Sequence, residues 1–500
     1  MPLTSPVSTT SAAPPRTGRL IALLVAAAFV VILNETIMSV ALPDLMVEFE
    51  VGASTAQWLT TGFMLTMAVV IPVTGYLLTR LSLRTVFVIA MSSFVVGTLV
   101  AASAPVFGVL VLGRIIQAVG TAIMLPLLFT TVLNVVPAER RGRTMGVISI
   151  VIAVAPAVGP TIGGVVLDQL SWRWMFWLVV PIAVLATVLG AIWVRNVTEP
   201  QRVPLDVVSV VFSAFAFSGL IFGLSSIGQD AEGAALMPPV IPLAVGVVAL
   251  ALFVWRQLRL GDKALLDLRA FQTRDFSVAV VLVAISMMAL FGTLILLPIY
   301  LQNVLDQSTL TTGLMLLPGG LAMGFLGLVV GALFDKIGPR PLVLPGAIIS
   351  SAALWGMTTL GVDTSIGTVI AWHILLNIGL AFMFSPLLTA ALGALPQRLY
   401  SHGSAIVSTL QQVAGAAGTA LFITVMTRTT VAGAEDGTDP VTSLSEGIHG
   451  ALVCGAVISL LAIVGSFFVR RPAAPVDPLA MATAGKTNQV DADREASPVG

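Results

Sequence analysis

The sequence predicts an all-α polytopic membrane protein of about fourteen transmembrane helices, two six-helix halves with two helices inserted between them. Three observations predict it. Hydrophobic residues make up 57% of the 500 and charged ones 10%, with a mean hydropathy of +1.02, a balance that excludes a soluble domain of this length. Apolar stretches of helix-spanning length recur along the chain. The loop after the second stretch reads GYLLTRLSLR from Gly75 to Arg84 and the loop after the tenth reads GALFDKIGPR from Gly331 to Arg340, a parallel internal repeat.

Taken in order, residues 1–18 are rich in Pro, Ser and Thr and are expected to form a disordered tail before an uncleaved helix. Helices at 19–41, 56–79, 86–104, 108–132, 144–167 and 174–194 fill a first half over 19–200. Two more at 205–226 and 238–257 occupy an insertion over 201–260. Those at 276–301, 311–334, 341–361, 366–392, 403–427 and 448–470 build a second half over 261–470, and 471–500 form a second disordered tail. An even number of spans puts both termini on one side. With that side cytoplasmic, the inner loops collect Arg80, Arg84, Arg140, Arg141, Arg143, Arg195, Arg202, Lys336, Arg340, Arg470, Arg471 and others, leaving Arg173 and Arg428 outside. One missed helix would invert every later loop and destroy this asymmetry.

The first helix carries the strongest functional signal. Asn34 and Glu35 lie in the middle of an apolar run, and an acid at the bilayer centre costs about 2.5–3.5 kcal/mol on insertion scales, so it should face protein or a watery cavity. Arg114, inside the fourth helix, lies at a depth close to that of Glu35, so a charge pair between helices one and four is expected; a purely structural pair orienting the two helices is the alternative. His373 can exchange protons near neutral pH or serve as an interhelical contact. Gln117, Asn377, Gln411 and Gln412 are candidates for a polar cavity lining, and Met64, Phe129, Phe291, Met383 and Phe384 for an adaptable apolar wall.

These features resemble the major facilitator superfamily, and within it the fourteen-helix drug:proton antiporter branch of bacterial multidrug exporters. The resemblance covers about residues 19–470. It is carried by the two repeated loops, by LGRIIQAVG from Leu112 to Gly120, by the fifth helix with Gly146, Gly159, Pro160, Gly163 and Gly164, and by LNETIMSVALP from Leu33 to Pro43. It implies the major facilitator fold in a bacterial plasma membrane. It also implies proton-coupled export of amphipathic, cationic compounds by alternating access, with Glu35 binding proton or cation, Arg114 and Asn34 beside it, and Gln117 supporting the geometry.

Gly75, Arg80, Arg84, Gly331, Asp335, Lys336, Gly338 and Arg340 would then belong to gating loops, with ion pairs among the charged members holding the inner face shut. Thr79 and Ser82 stand where the family has Asp and Gly, so the first loop is expected to latch less firmly. A dedicated exporter of one endogenous metabolite, antibiotic or lipid would share all these motifs and is the alternative.

Other classes lack their chemistry. The sole Gly-Lys-Thr, at 485–487, has neither the preceding glycine nor a strand, so no ATP use is expected. No His/Cys cluster suggests a metal, no nucleophile–base pair suggests an enzyme, and no cofactor or nucleic-acid partner is expected. Small substrates, protons and membrane lipid are the expected partners, and the chain is expected to be monomeric.

Overall fold

The computed structural model describes residues 15–194, 196, 200–201, 204–231 and 237–470. The expected tails fall outside them except for residues 15–18, as do Arg195, Arg202 and Arg471. Among the described residues there is no strand. The first six long helices are α1 (Pro15–Glu48), α2 (Trp58–Arg80), α3 (Leu83–Ala102), α4 (Phe107–Val135), α5 (Arg141–Gln169) and α6 (Val179–Trp193). An intervening pair is α7 (Val207–Ala231) and α8 (Val240–Leu260). The last six are α9 (Arg274–Asn303), α10 (Thr309–Ile337), α11 (Arg340–Met357), α12 (Ile366–Gly393), α13 (Tyr400–Glu435) and α14 (Pro440–Ser466). Helices are the required solution, because a segment in hydrocarbon must satisfy its own backbone.

Thirteen spans among the described residues are long and apolar enough to cross a membrane. The fourteenth long helix, α11, falls just short: its 18 residues open on Arg340-Pro341 and include Pro345, so it has no spare apolar length. It nevertheless packs between α12 and α14. Some helices outrun the apolar stretches that announce them. The first apolar stretch ends near residue 41, yet α1 continues through Pro43 to Glu48, and α13 runs 36 residues to Glu435. Polar residues at these ends keep helical geometry once they clear the hydrocarbon.

Packing repeats with an offset of eight helices. Within the first six, α1 contacts α4, α5 and α6, α2 contacts α4, and α3 contacts α4 and α6. Within the last six, α9 contacts α12, α13 and α14, α10 contacts α12, and α11 contacts α12 and α14. Across the middle, α5 meets α10 and α12 while α13 meets α2 and α4, as a pseudo-twofold arrangement requires. The intervening pair breaks this symmetry, since α7 lies against both α2 and α13 and carries α8 on its outer side.

The seam between α5 and α10 is closed by glycine. A Cβ on Gly142 or Gly146 would run into the backbone of Gly331 or Gly327, and the reverse holds for Gly331. At this end the Asp335 carboxylate accepts the Gly142 and Arg143 backbone N–H groups at 2.7 and 2.9 Å, capping the N-terminus of α5 from the opposite half. This corrects the expected ion-pair latch: among the described residues Asp335, Lys336 and Arg340 form no ion pair, and both cations are exposed. Gly338 ends α10 with φ of 81°, a conformation that glycine adopts freely, and its N–H returns to the Phe334 carbonyl.

At the equivalent end of the other seam, Thr79 turns its hydroxyl back to the Gly75 carbonyl at 2.9 Å and crosses nothing. Gly75 instead packs close to Ser401 and Ala405 of α13 and to Leu266. Asp267, the residue after Leu266, accepts three hydrogen bonds from the Arg269 side chain and caps the short helix Leu268–Gln272 through the Arg269 N–H. Its own N–H points to His402 of α13. The linker after α8 therefore lies where the first loop has no acid to offer. Arg80 and Arg84 are exposed at this end.

Two predictions follow from these contacts. Gly331→Val should lower the melting temperature in detergent, overpacking costing about 1–3 kcal/mol, whereas Gly164→Ala, whose added methyl meets nothing within 4 Å, should leave it unchanged. Asp206, just before α7, takes a two-pronged hydrogen bond from Arg256 of α8 at 2.7 Å on both arms, and this holds its carboxyl at about 2 against an ordinary 3.8. A depressed carboxyl contributes stability that is complete above the unfolded value and lost as pH falls through the folded one. The penalty of Asp206→Asn, read as a melting-temperature difference from wild type, should be constant near neutral pH and shrink between pH 3.8 and about 2.

Candidate functional site

A cavity of about 170 Å³ lies between the two sets of six helices. Its wall comes from α1, α2, α4 and α5 on one side and from their repeat equivalents α9, α10, α12 and α13 on the other. No described residue of α3, α6, α7, α8, α11 or α14 lines it.

Glu35 lines this cavity, half-buried, and its carboxylate makes no hydrogen bond or ion pair with any described residue. Its placement follows from α1 packing. Leu24, Ala27, Ala28 and Val31 before it and Met38 and Ala41 after it are buried, and the face between them turns inward. Thr36, beside it, bonds back to the Leu33 carbonyl at 3.0 Å and presses against Gly159 of α5, which has no Cβ to obstruct the approach. Gly163 repeats this contact against Ile37, while Pro160 and Gly164 are only partly buried.

Arg114 is 1% exposed and does not reach the cavity. The expected Glu35–Arg114 ion pair is not made. Instead Arg114 Nη1 donates to Gln117 Oε1 at 2.6 Å and to Asn34 Oδ1 at 3.3 Å, and the guanidinium lies over the Phe63 ring at 4.1 Å. Gln117 Nε2 continues the chain to Thr98 Oγ1 at 2.8 Å, which donates to the Phe94 carbonyl. Arg114 and Glu35 interact through space. This lets the acid stay free on the cavity wall while its sequence neighbour Asn34 holds the cation, with the ring face supplying the contact that no carboxylate makes.

On the opposite wall His373 shares a hydrogen bond between Nε2 and the Leu316 carbonyl at 3.2 Å, and Asn377 Nδ2 donates to the His373 carbonyl at 2.9 Å. Phe291, Gln411 and Gln412 also line the cavity. The structure does not bring the other proposed wall residues there. Phe129, Met383 and Phe384 are fully buried in the helix core, Met64 is exposed on the outer face of α2, and Gln117 is spent in the Arg114 network. On α2 the cavity side chains are Met67 and Ile71, one helical turn and more beyond Met64.

Sequence reasoning missed Met67, Met287, Met323, Thr121, Thr293 and Ser408, all cavity residues. It also missed Phe63, for which one signal exists: it is the lone aromatic in α2 between Trp58 at the start and Tyr76 near the end. Outside the spans, Arg173 pairs with Glu48 at 2.6 Å rather than with nearby Asp168, and this hydrogen bond lowers the Glu48 carboxyl below its usual range. No group of three or more potential metal ligands exists among the described residues.

An all-helical, multi-pass membrane protein with a central cavity shared by two pseudosymmetric helix sets is built as a transporter. The Major Facilitator Superfamily model matches residues 24–419, and the chain belongs to that family. It is 42% identical over 457 residues to "Lincomycin resistance protein LmrB" of Listeria monocytogenes, covering 90% of this chain and 96% of that protein. It is 30% identical over 443 residues to "Multidrug resistance protein B homolog" of Mycobacterium tuberculosis, covering 85% and 81%. Among solved structures it resembles the human organic anion transporter MFSD10 with a TM-score of 0.65 at 14% identity, over 91% of this chain and 100% of that one, a likeness of fold alone. The protein is a transporter and not an enzyme.

Arg114→Lys tests the buried network. Lysine keeps the charge but loses the planar fork and the ring contact, so stability should fall by about 2–4 kcal/mol, seen as a lower melting temperature and a smaller folded peak on size exclusion.

Proposed function

We propose that the chain is a proton-coupled antiporter that exports amphipathic, cationic compounds across a bacterial plasma membrane by alternating access, with both termini cytoplasmic. The observation that carries this reading is the Glu35 carboxylate, unpaired on the wall of a cavity enclosed by both halves. Such a group can hold a proton or an organic cation but not both, so occupancy by one excludes the other. Protons entering from outside release the cation outward, and a cation entering from inside releases the proton. The membrane potential adds about 2.3 kcal/mol per 100 mV for each net charge moved.

The names of the relatives support drug export, since one is named for lincomycin resistance and another for multidrug resistance. Orientation is supported by the basic loops that gather on the face where α1 begins. On that face the halves are joined by the Asp335 cap, by Arg141 to Tyr400 at 3.2 Å and by Gln397 to Asn134 at 3.3 Å. These contacts are few and polar, so they can be exchanged for contacts at the other end as the halves rock.

The test is proton-driven uptake of ethidium into inverted membrane vesicles, wild type against Glu35→Gln at matched expression. Loss of pH-gradient-driven transport, with drug binding weakened and no longer dependent on pH, is the expected result. Unchanged coupling would remove Glu35 from the mechanism, and a wild type that moves lincomycin but not ethidium would favour an exporter dedicated to one compound class.

A further inference from the structure

Most hydrogen-bond donors on the cavity wall are already spent. The Thr121 hydroxyl donates to the Gln117 carbonyl at 3.2 Å and that of Thr293 to the Ala289 carbonyl at 2.7 Å. His373 and Asn377 are occupied with the Leu316 carbonyl and with each other, and Gln412 Nε2 rests on the Met67 sulfur at 3.7 Å. Among the hydrogen-bond donors of the second-half wall, what is left is a pair on α13. Gln411 is 6% exposed and Ser408 is 4% exposed; both line the cavity, and Gln411 Nε2 and Ser408 Oγ find no hydrogen-bond partner among the described residues. Three residues apart, they share one helical face.

A buried amide N–H without an acceptor is destabilising, a cost that a ligand oxygen would remove. The two walls therefore supply different unspent groups. The first half offers an acceptor that bears charge, Glu35, and the second half offers donors, Gln411 and Ser408. We infer that Gln411 and Ser408 form a hydrogen-bonding subsite for a hydroxyl or carbonyl oxygen on a substrate whose cationic end is held at Glu35. This rests on the cation-export reading and narrows it to amines that carry oxygen functions away from the charge. A purely hydrocarbon cation leaves both donors unsatisfied, so the site discriminates against it even where the apolar wall fits equally well.

The experiment uses two cations of equal size, 10-hydroxydecyltrimethylammonium and undecyltrimethylammonium, which differ by a terminal hydroxyl in place of a methyl. The KM of each is measured for uptake into inverted vesicles with the wild type, Gln411→Met and Ser408→Ala. The ratio of the hydroxyl KM to the methyl KM should rise about two- to tenfold in each variant relative to wild type, the range of one lost hydrogen bond. An equal ratio in all three proteins overturns the subsite while leaving cation export standing. A wild type that moves neither cation overturns cation export itself, and the subsite with it. Ser408→Ala removes a single oxygen and gives an independent reading if Gln411→Met fails to reach the membrane.

Discussion

A polar atom inside hydrocarbon has no solvent to turn to, and this constraint accounts for most of what is specific about the molecule. It makes every span a helix. It also presses interior polar side chains toward partners, which is why Thr and Ser along the spans so often return to a carbonyl one turn back, as Thr74, Thr131 and Thr389 do. Arg114 is the extreme case. Its charge is held by neutral groups, Asn34 and Gln117, and by the face of Phe63, so that the acid next to Asn34 is left uncommitted. The fixed cation and the free anion thus occupy one layer of the bundle with separate tasks.

Close approach between helices is the second consequence. Apolar side chains gain little by leaving lipid for one another, so helix pairs that must hold together do so by backbone proximity. The α5–α10 seam does this with glycines on both sides, and α3 against α4 does it with Gly97, Gly113 and Gly120. The two contacts differ in what they join: the second is internal to one half, whereas the first lies between halves and ends in a hydrogen-bonded cap that backbone motion can undo.

The fold was largely legible in the sequence because hydropathy, the bias of basic loops and the repeated loop are independent signals. The extensions of α1 past Pro43 and of α13 to Glu435 were not, because hydropathy marks where hydrocarbon ends and not where a helix ends. In the cavity, Glu35, His373, Asn377, Gln411 and Gln412 could be named because a polar residue in an apolar run is conspicuous. Met67, Met287 and Met323 could not, since an apolar residue in a span looks the same whether it faces lipid, core or cavity; choosing Met64 over Met67 is that ambiguity in a single helix. The Asp335 cap escaped because its partners are backbone amides, which carry no residue identity.

The position of α7 gives the molecule a handedness that its repeat lacks. One seam between the halves is bare to the surrounding bilayer along α5 and α10, while the other is roofed by a helix that touches α2 and α13 together, with Phe222 stacked on Trp58. Lipid tails can lie directly against the seam only on the uncovered side. An amphipathic molecule partitioned in the bilayer therefore meets two unlike flanks, one a seam between glycine-packed helices and the other a seam under a covering helix, and the protein has a front and a back within the plane of the membrane.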